Sequence, residues 1–255
     1  MNIFITGGAS GMGAELAKIY LLQGCRVGIC GRDSGKYITA LTEVFHSLDP
    51  KMLSRLEFFV ADISNRTELE LAVKSFLNGQ KLDIFIANAG IPTGKKSSMP
   101  DFDKARDLIN INVLGTLNSF DVAFQEMKNS GGQIVAVASV AGMNGLPGVA
   151  PYSGSKAAVI KMCESYALDW KRFGITVSCL CPGFVDTAFT KINNHSMPFL
   201  MSAARAGQLM KSAIDGKKKF YVFPLRMYLI CFILSVIPRY FYRMIMSLKI
   251  FNYSS

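Results

Sequence analysis

Short unbroken apolar runs alternate along the chain with longer stretches whose apolar residues recur at helical spacing. Runs at 3–6, 26–30, 56–60, 82–87 and 133–138 are rich in Ile, Val, Phe and Ala, and similar runs follow at 175–180 and 220–223. They are continuously apolar rather than alternating, the pattern of strands covered on both faces. Between them lie segments of helical length at about 14–23, 35–47, 65–78, 102–128 and 152–173. Strand–helix alternation predicts a parallel sheet joined by right-handed crossovers. The expected fold is α/β, a doubly wound sheet of seven parallel strands with helices on both faces.

Each predicted strand ends in small, polar or turn-forming residues: Gly7-Gly8-Ala9-Ser10-Gly11, Gly31-Arg32, Ala61-Asp62, Asn88-Ala89-Gly90, Ser139 and Pro182-Gly183. In a parallel sheet these ends share one edge, and ligands of open α/β sheets bind there. The first of them, Thr6-Gly7-Gly8-Ala9-Ser10-Gly11-Met12-Gly13, leads into a helix expected from about Ala14. Glycines let the backbone turn tightly and approach a pyrophosphate, whose charge the helix N-terminus stabilises.

Arg32 follows the second strand, where the adenosine ribose of a dinucleotide would lie, and the neighbouring Gly31 is not an acid. A cation there favours a 2′-phosphate, hence NADP(H) over NAD(H). Asp33 argues the other way, since it could neutralise Arg32 or face the ribose, and a plain surface Arg–Asp turn is a third reading. Asp62 either accepts from an adenine amino group or caps the next helix.

Tyr152 and Lys156 stand four apart in Pro151-Tyr152-Ser153-Gly154-Ser155-Lys156, at the start of an apolar-periodic helix. That spacing puts both on one helix face. A phenol of pKa about 10 is a poor base at neutral pH, but a neighbouring ammonium favours its ionised form. Such a pair can pass a proton to or from an alcohol oxygen. Ser139 could donate to the same oxygen. Asn112, inside the long helix, reads without further context as an amide pinning helix to sheet.

Taken together, these motifs resemble the short-chain dehydrogenase/reductase family across about 1–223. TGGASGMG is similar to that family's TGxxxGxG turn, with Thr6, Gly7, Gly11 and Gly13 at its fixed positions. Asn88-Ala89-Gly90 resembles its NAG motif, and Asn112, Ser139, Tyr152 and Lys156 match its Asn–Ser–Tyr–Lys tetrad. Pro182-Gly183 with Thr187 resembles the turn whose following residues contact the nicotinamide amide. The resemblance implies a Rossmann-type NADP-binding domain over 1–223; the remainder, 224–255, departs from the minimal family pattern and reads as a helical extension. It implies cofactor contacts at Thr6, Gly7, Ser10, Gly11, Met12, Gly13, Arg32, Asp62, Ile63, Asn88, Ala89, Gly90, Tyr152, Lys156, Pro182, Gly183, Val185 and Thr187. In the implied mechanism a carbonyl takes hydride from NADPH and a proton from Tyr152. Lys156 holds the ribose hydroxyls and lowers the Tyr152 pKa, Ser139 polarises the carbonyl, and Asn112 anchors a water. Dimers or tetramers through the segments 102–128 and 152–173 are implied as well.

Composition adds a second theme. The 255 residues are 50% hydrophobic and 18% charged, enough apolar content for a large core and too much for a disordered chain. No uncharged apolar run reaches about 20 residues, so no ordinary spanning helix is expected. The opening Met1-Asn2-Ile3-Phe4-Ile5 lacks a basic segment, so no cleavable signal is expected. Six cysteines in no CxxC pair, with only His46 and His195 beside them, point to buried thiols, a reducing compartment and no metal site.

The formal charge is +10, and Lys217, Lys218, Lys219, Arg226, Arg239, Arg243 and Lys249 supply +7 of it with no acid after Asp215. These cations stand among Phe, Tyr, Met, Ile and Leu, which suits an anionic lipid surface better than nucleic acid. The apolar run 229–237 is far too short to span a bilayer and is closed by Pro238 and Arg239. On a helical wheel Arg239, Arg243 and Lys249 share one side, with Tyr240, Phe241, Met244, Ile245 and Leu248 on the other. The expectation is a cytoplasmic protein with peripheral membrane contact through 224–255. A flap completing a dimer or the substrate mouth is the alternative.

Specificity is expected from 141–150 and from 184–216, whose Phe184, Phe189, Met197, Phe199, Leu200, Met201 and Met210 suit a lipophilic carbonyl or alcohol. Ordinary packing explains the same residues equally well, and Arg205 is the residue that could grip a carboxylate. The function expected is an NADP(H)-dependent oxidoreductase interconverting a carbonyl and a secondary alcohol. The alternatives are a catalytically silent NADP(H)-sensing or scaffold protein, an NAD-dependent alcohol dehydrogenase, and an epimerase or dehydratase on the same fold.

Overall fold

The computed structural model of the protein describes residues 1–93, 99, 101–190 and 197–248. His195 and Lys249 lie outside the described residues. In chain order the first half runs β1 (Asn2–Thr6), α1 (Gly11–Leu22), β2 (Arg26–Gly31), α2 (Ser34–Glu43), α3 (Pro50–Leu53), β3 (Leu56–Val60), α4 (Arg66–Leu77) and β4 (Ile84–Ala87). The second half holds α5 (Phe102–Ile109), α6 (Gly115–Met127), β5 (Gly132–Val137), α7 (Ala150–Asp169), β6 (Ile175–Pro182), β7 (Val185–Asp186), β8 (Met201–Ser202), α8 (Ala203–Asp215) and β9 (Phe220–Phe223). The helices α9 (Leu225–Val236) and α10 (Arg239–Met246) follow.

Among the described residues seven strands form one sheet in the order β3-β2-β1-β4-β5-β6-β9, and every pairing is parallel. β7 and β8 form a separate two-stranded ribbon. The unbroken apolar character of the strands has a direct cause: successive side chains point to opposite faces, and both faces are buried. Ile3 and Ile5 enter a core with Leu16, Tyr20, Ile29 and Met210, whereas Phe4 enters the opposite core with Phe76, Phe85 and Phe120. Each fully buried side chain of this size contributes roughly 1.5–3 kcal/mol of transfer free energy.

The chain winds outward from β1 to β3, then returns to β4 on the other side of β1. The carboxyl ends of β1 and β4 therefore flank the reversal point, where an open α/β sheet leaves a crevice.

Three helices differ from the sequence pattern. α1 begins at Gly11 rather than near Ala14, with Ser10 at its N-cap in extended conformation. The 35–47 stretch ends its helix at Glu43, and Phe45 is fully buried beyond it. The long 102–128 segment is divided by a π-helical turn at Asn110–Leu114. There the Thr116 hydroxyl donates to the Asn112 carbonyl (2.8 Å), and the Asn112 side chain is held across the interface by Ile91. Single π turns of this kind often mark functional positions.

The C-terminal helices also depart from the wheel. α10 turns Tyr242 and Met246 inward, while Tyr240, Phe241, Met244 and Leu248 are exposed. α9 buries Met227 and Cys231 and exposes Leu225, Leu229, Phe232 and Val236. No helix among the described residues is long and apolar enough to cross a membrane.

Candidate active site

A cavity of about 580 Å³ opens along the carboxyl edge of the sheet, from Arg32 at one end to Phe189 at the other. Its floor begins with the turn after β1. Gly7 and Gly11 have φ of +65° and +53°, where L side chains are strained. A Cβ on Gly13 would lie 2.5 Å from the Gly7 carbonyl oxygen and 2.6 Å from Asn88 Nδ2, so a side chain there has no room. The Thr6 hydroxyl accepts from the amides of Asn88 (3.0 Å) and Ala89 (3.1 Å). Asn88 Nδ2 returns bonds to the carbonyls of Thr6 (3.1 Å) and Gly7 (3.2 Å). Thr6 and Asn88 thus lock the β1 and β4 turns together, and the result is a glycine cradle beneath the first turn of α1. Such a cradle fits a diphosphate, because free amides and the helix dipole favour an anion.

At the adenosine end, Asp33 does not pair with Arg32. It is the N-cap of α2, accepting from the Gly35 amide at 2.8 Å. Arg32 instead faces Asp62, at 3.6 Å between Nη1 and Oδ2, and its side chain is 59% exposed. Asp62 also accepts from the Ser64 amide and hydroxyl, each at 2.8 Å. Burial alone would raise the Asp62 carboxyl, but the two Ser64 bonds and then Arg32 outweigh it and hold it below the usual carboxylate range. The N-cap of α4 is Asn65, so Asp62 is not that cap. Lys36 also lines this end of the cavity, a second cation in the first turn of α2 that belongs to no motif of the sequence.

At the other end, Ser139, Tyr152 and Lys156 all line the cavity. Ser139 follows β5 and accepts from the Ala141 amide at 3.1 Å. Tyr152 lies in the first turn of α7, its ring 5.9 Å from that of Phe189. Lys156 is buried one turn on; its Nζ donates to the Val137 carbonyl (3.0 Å) and lies 5.8 Å from the Tyr152 ring centroid. Burial pushes the Tyr152 phenol up to about 12, partly opposed by the Ser139 hydroxyl. Burial also brings the Lys156 ammonium down to about 8. Desolvation is the largest influence on each of the two groups.

Asn112 lies behind the cavity wall. Its Oδ1 accepts from the Ile91 amide (2.8 Å), and its Nδ2 donates to the Ile91 carbonyl (2.9 Å) and Ser155 Oγ (3.3 Å). A Cβ on Gly90 would sit 3.0 Å from Asn112 Oδ1 and 3.6 Å from Lys156 Nζ, which puts both residues against the Asn88-Ala89-Gly90 turn.

Of the other residues singled out in the sequence, Ser10, Met12, Ile63, Ala89, Gly90, Pro182, Gly183, Val185 and Thr187 line the cavity, while Thr6 and Gly13 support it from behind. Thr187 Cγ2 would be 3.1 Å from a Cβ on Gly11, so this side chain closes over the glycine turn from the opposite wall. Ala141, Leu146, Val149, Phe184 and Phe189 make the far end apolar. Met210 is fully buried on α8 and Met201 packs on the same core, so neither faces the cavity. Arg205 sits in the first turn of α8, away from the cavity lining, with its guanidinium toward Gln208. Thr93, also on the lining, has a buried hydroxyl with no hydrogen-bond partner among the described residues, and nothing in the sequence marked it.

Residues 1–198 match the short chain dehydrogenase family model, and the chain belongs to that family of oxidoreductases. The (2S)-[(R)-hydroxy(phenyl)methyl]succinyl-CoA dehydrogenase subunit of Thauera aromatica is 34% identical over 211 residues, 80% of this chain and 82% of the relative. The structure of a short chain dehydrogenase from Burkholderia cenocepacia J2315 in complex with NADP superposes with a TM-score of 0.82 at 23% identity, covering 97% of this chain and 98% of the other. The 3-ketoacyl-(acyl-carrier-protein) reductase from Brucella melitensis complexed with NADH gives a TM-score of 0.75 at 20% identity, over 87% and 95% of the two chains. These similarities at low identity carry the seven-stranded fold.

Proposed function

We propose that this protein is an NADP(H)-dependent reductase that interconverts an apolar carbonyl compound and its secondary alcohol. The observation that carries the reading is one continuous cavity with a glycine cradle and Arg32, Asp33, Lys36 and Asp62 at one end, and Ser139, Tyr152 and Lys156 beside an apolar wall at the other. The bound NADP(H) supplies or accepts the hydride. Family relatives crystallised with NADP and with NADH support a nicotinamide cofactor. Arg32 and Lys36, with no acid at Gly31, support the phosphorylated form.

The chain's own groups divide the remaining work. Tyr152, held protonated by burial, donates its proton to the carbonyl oxygen in the reductive direction. Ser139 orients that oxygen and stabilises the charge that develops on it. Lys156, adjacent to Gly90 and with its ammonium brought down to about 8, would hold the nicotinamide ribose and resupply the proton. Asn112 is a positioning residue, fixing Ile91 and with it the wall that faces Lys156. A phenol raised to about 12 stays protonated near neutral pH, the form in which it can donate to a carbonyl oxygen.

Among the described residues Leu146, Val149, Phe184 and Phe189 give the substrate end an apolar wall, so lipophilic ketones are the expected class. The same reading includes peripheral contact with a membrane through 224–255, supported by the exposed apolar residues of α9 and α10. It also includes self-association through α5–α7, where Phe102, Leu117 and Leu168 are exposed; family members often assemble in this way. The test is NADPH consumption over ketones and aldehydes graded by chain length. Turnover should rise with lipophilicity, and activity confined to small polar carbonyls would refute the substrate assignment.

A further inference from the structure

The C-terminal helices touch the Pro182-Gly183 turn of the cavity lining and the loop that leads into Leu146. Asn144 Nδ2 donates to the Cys231 carbonyl (2.9 Å) and to Ser235 Oγ (3.2 Å) on α9. The Tyr242 hydroxyl of α10 donates to the Gly145 carbonyl. The next residue, Leu146, is cavity wall. Met227 of α9 lies against the Pro182-Gly183 turn, its Cγ 3.5 Å from where a Gly183 Cβ would be. The Arg226 guanidinium stands over the Phe199 ring, 5.9 Å from its centroid.

The outer side of the same helices is apolar and uncovered. Leu225 is 67% exposed, Val236 63% and Tyr240 74%, with Leu229, Phe232 and Phe241 between them also exposed. On α9, positions 225, 229, 232 and 236 follow helical spacing and form one stripe. Three exposed arginines, 226, 239 and 243, edge this surface, and no acidic residue follows Asp215. Charge decides between a second copy and a lipid surface as the occupant. A twofold contact through this face would set two like-charged surfaces together, with no carboxylate on either copy's α9 or α10 to pair the arginines. Anionic headgroups would pair with all three while the stripe enters the acyl boundary.

We propose that α9 and α10 seat the enzyme on an anionic lipid surface, and that this seating, transmitted through Asn144 and Tyr242 to Leu146, tightens the cavity around its ketone. The proposal rests on the reading of the cavity as a carbonyl site. Where lipid and ketone both bind better when the helices and the 144–146 loop are mutually ordered, each raises the other's affinity by the same factor. The lipid-facing surface and the substrate wall are one mechanical unit, joined by side chains that touch neither ligand.

The experiment uses the full chain with vesicles of phosphatidylcholine alone or mixed with phosphatidylglycerol. It measures flotation and, separately, KM for a water-soluble ketone that does not partition into lipid. Wild type should float only with the anionic vesicles, which should lower its KM about fivefold, the lower end of typical coupling between sites, with kcat little changed. Leu229→Glu/Phe241→Glu should stay at the bottom and keep its lipid-free KM. Asn144→Ala/Tyr242→Phe should float like wild type yet show no change in KM. Wild type that does not float overturns the seat, as does an L229E/F241E pair that dissociates an oligomer instead of losing vesicles. A floating enzyme whose KM is unmoved, or a latch variant that responds like wild type, overturns the coupling and leaves the carbonyl reading standing. Flotation with no turnover in any variant overturns the carbonyl reading, and the coupling with it.

Discussion

Replacing Arg32 by Ala should reduce kcat/KM for NADPH about tenfold and leave NADH nearly untouched. A hydrogen bond to a charged group contributes about 1.5–3 kcal/mol. Two features of the site hold Arg32 at or just below the low end of that range: its side chain is 59% exposed, and Asp62 shares it at 3.6 Å. About 1.4 kcal/mol is a factor of ten. Lys36→Ala should act in the same direction by less, since its single charge lacks the planar fork of Arg. The converse change is Gly31→Asp, where an added Cβ would meet only Phe58 Cε2 at 4.0 Å, so the side chain has room. Its carboxylate should repel a 2′-phosphate, accept from a ribose hydroxyl and reverse the preference. The assay is steady-state turnover with each cofactor at two ionic strengths; the NADPH advantage should shrink in high salt. Equal losses for both cofactors in R32A, or no loss for either, would refute the argument.

The other predictions concern the cradle and the buried pair. Gly13→Ala forces a methyl to within 2.5 Å of a backbone carbonyl, so it should abolish cofactor binding and lower Tm, an overpacking cost of about 1–3 kcal/mol or more; unchanged binding by fluorescence titration would contradict this. Asn88→Ala removes two bonds between the β1 and β4 turns and should destabilise by about 1–3 kcal/mol in urea unfolding. Lys156 is brought down to about 8 in the fold, so the native state releases its proton before the unfolded chain does, and stability should rise with pH above about 8. The stability deficit of wild type relative to Lys156→Met should therefore narrow by about 1 kcal/mol between about pH 7.5 and about pH 9; a constant gap would show that the ammonium is not desolvated. Tyr152 is shifted the other way, to about 12, so its contribution should fall away only above about pH 10.

The fold was legible because parallel strands buried on both faces leave unbroken apolar runs, and Ile3, Phe4 and Ile5 show why: neighbours in the run serve opposite cores. The glycine turn, the Asn88-Ala89-Gly90 turn and Tyr152–Lys156 were legible because their chemistry is local in sequence. What depended on distant partners was not. Asp33 looked like a partner for Arg32, but its oxygen is committed to a helix cap two residues away, and the partner is Asp62, thirty residues on. The mutual influence of Tyr152 and Lys156 could not be read from spacing, since burial by the surrounding sheet outweighs it. A helical wheel showed α10 as amphipathic without revealing that Tyr242 and Met246 point inward and leave the Tyr240–Phe241 side exposed. Met210 matched the apolar substrate stretch in composition and is core, because only packing separates the two.

The most direct measurement is single-turnover reduction of an apolar ketone by enzyme preloaded with NADPH, comparing wild type with Tyr152→Phe. The phenylalanine ring preserves the packing against Phe189 and removes only the hydroxyl. NADPH affinity should stay within about twofold, while the rate of hydride transfer falls by about 10²–10⁴, the usual worth of a positioned acid. A variant that reduces the ketone at the wild-type rate would show that the proton comes from elsewhere.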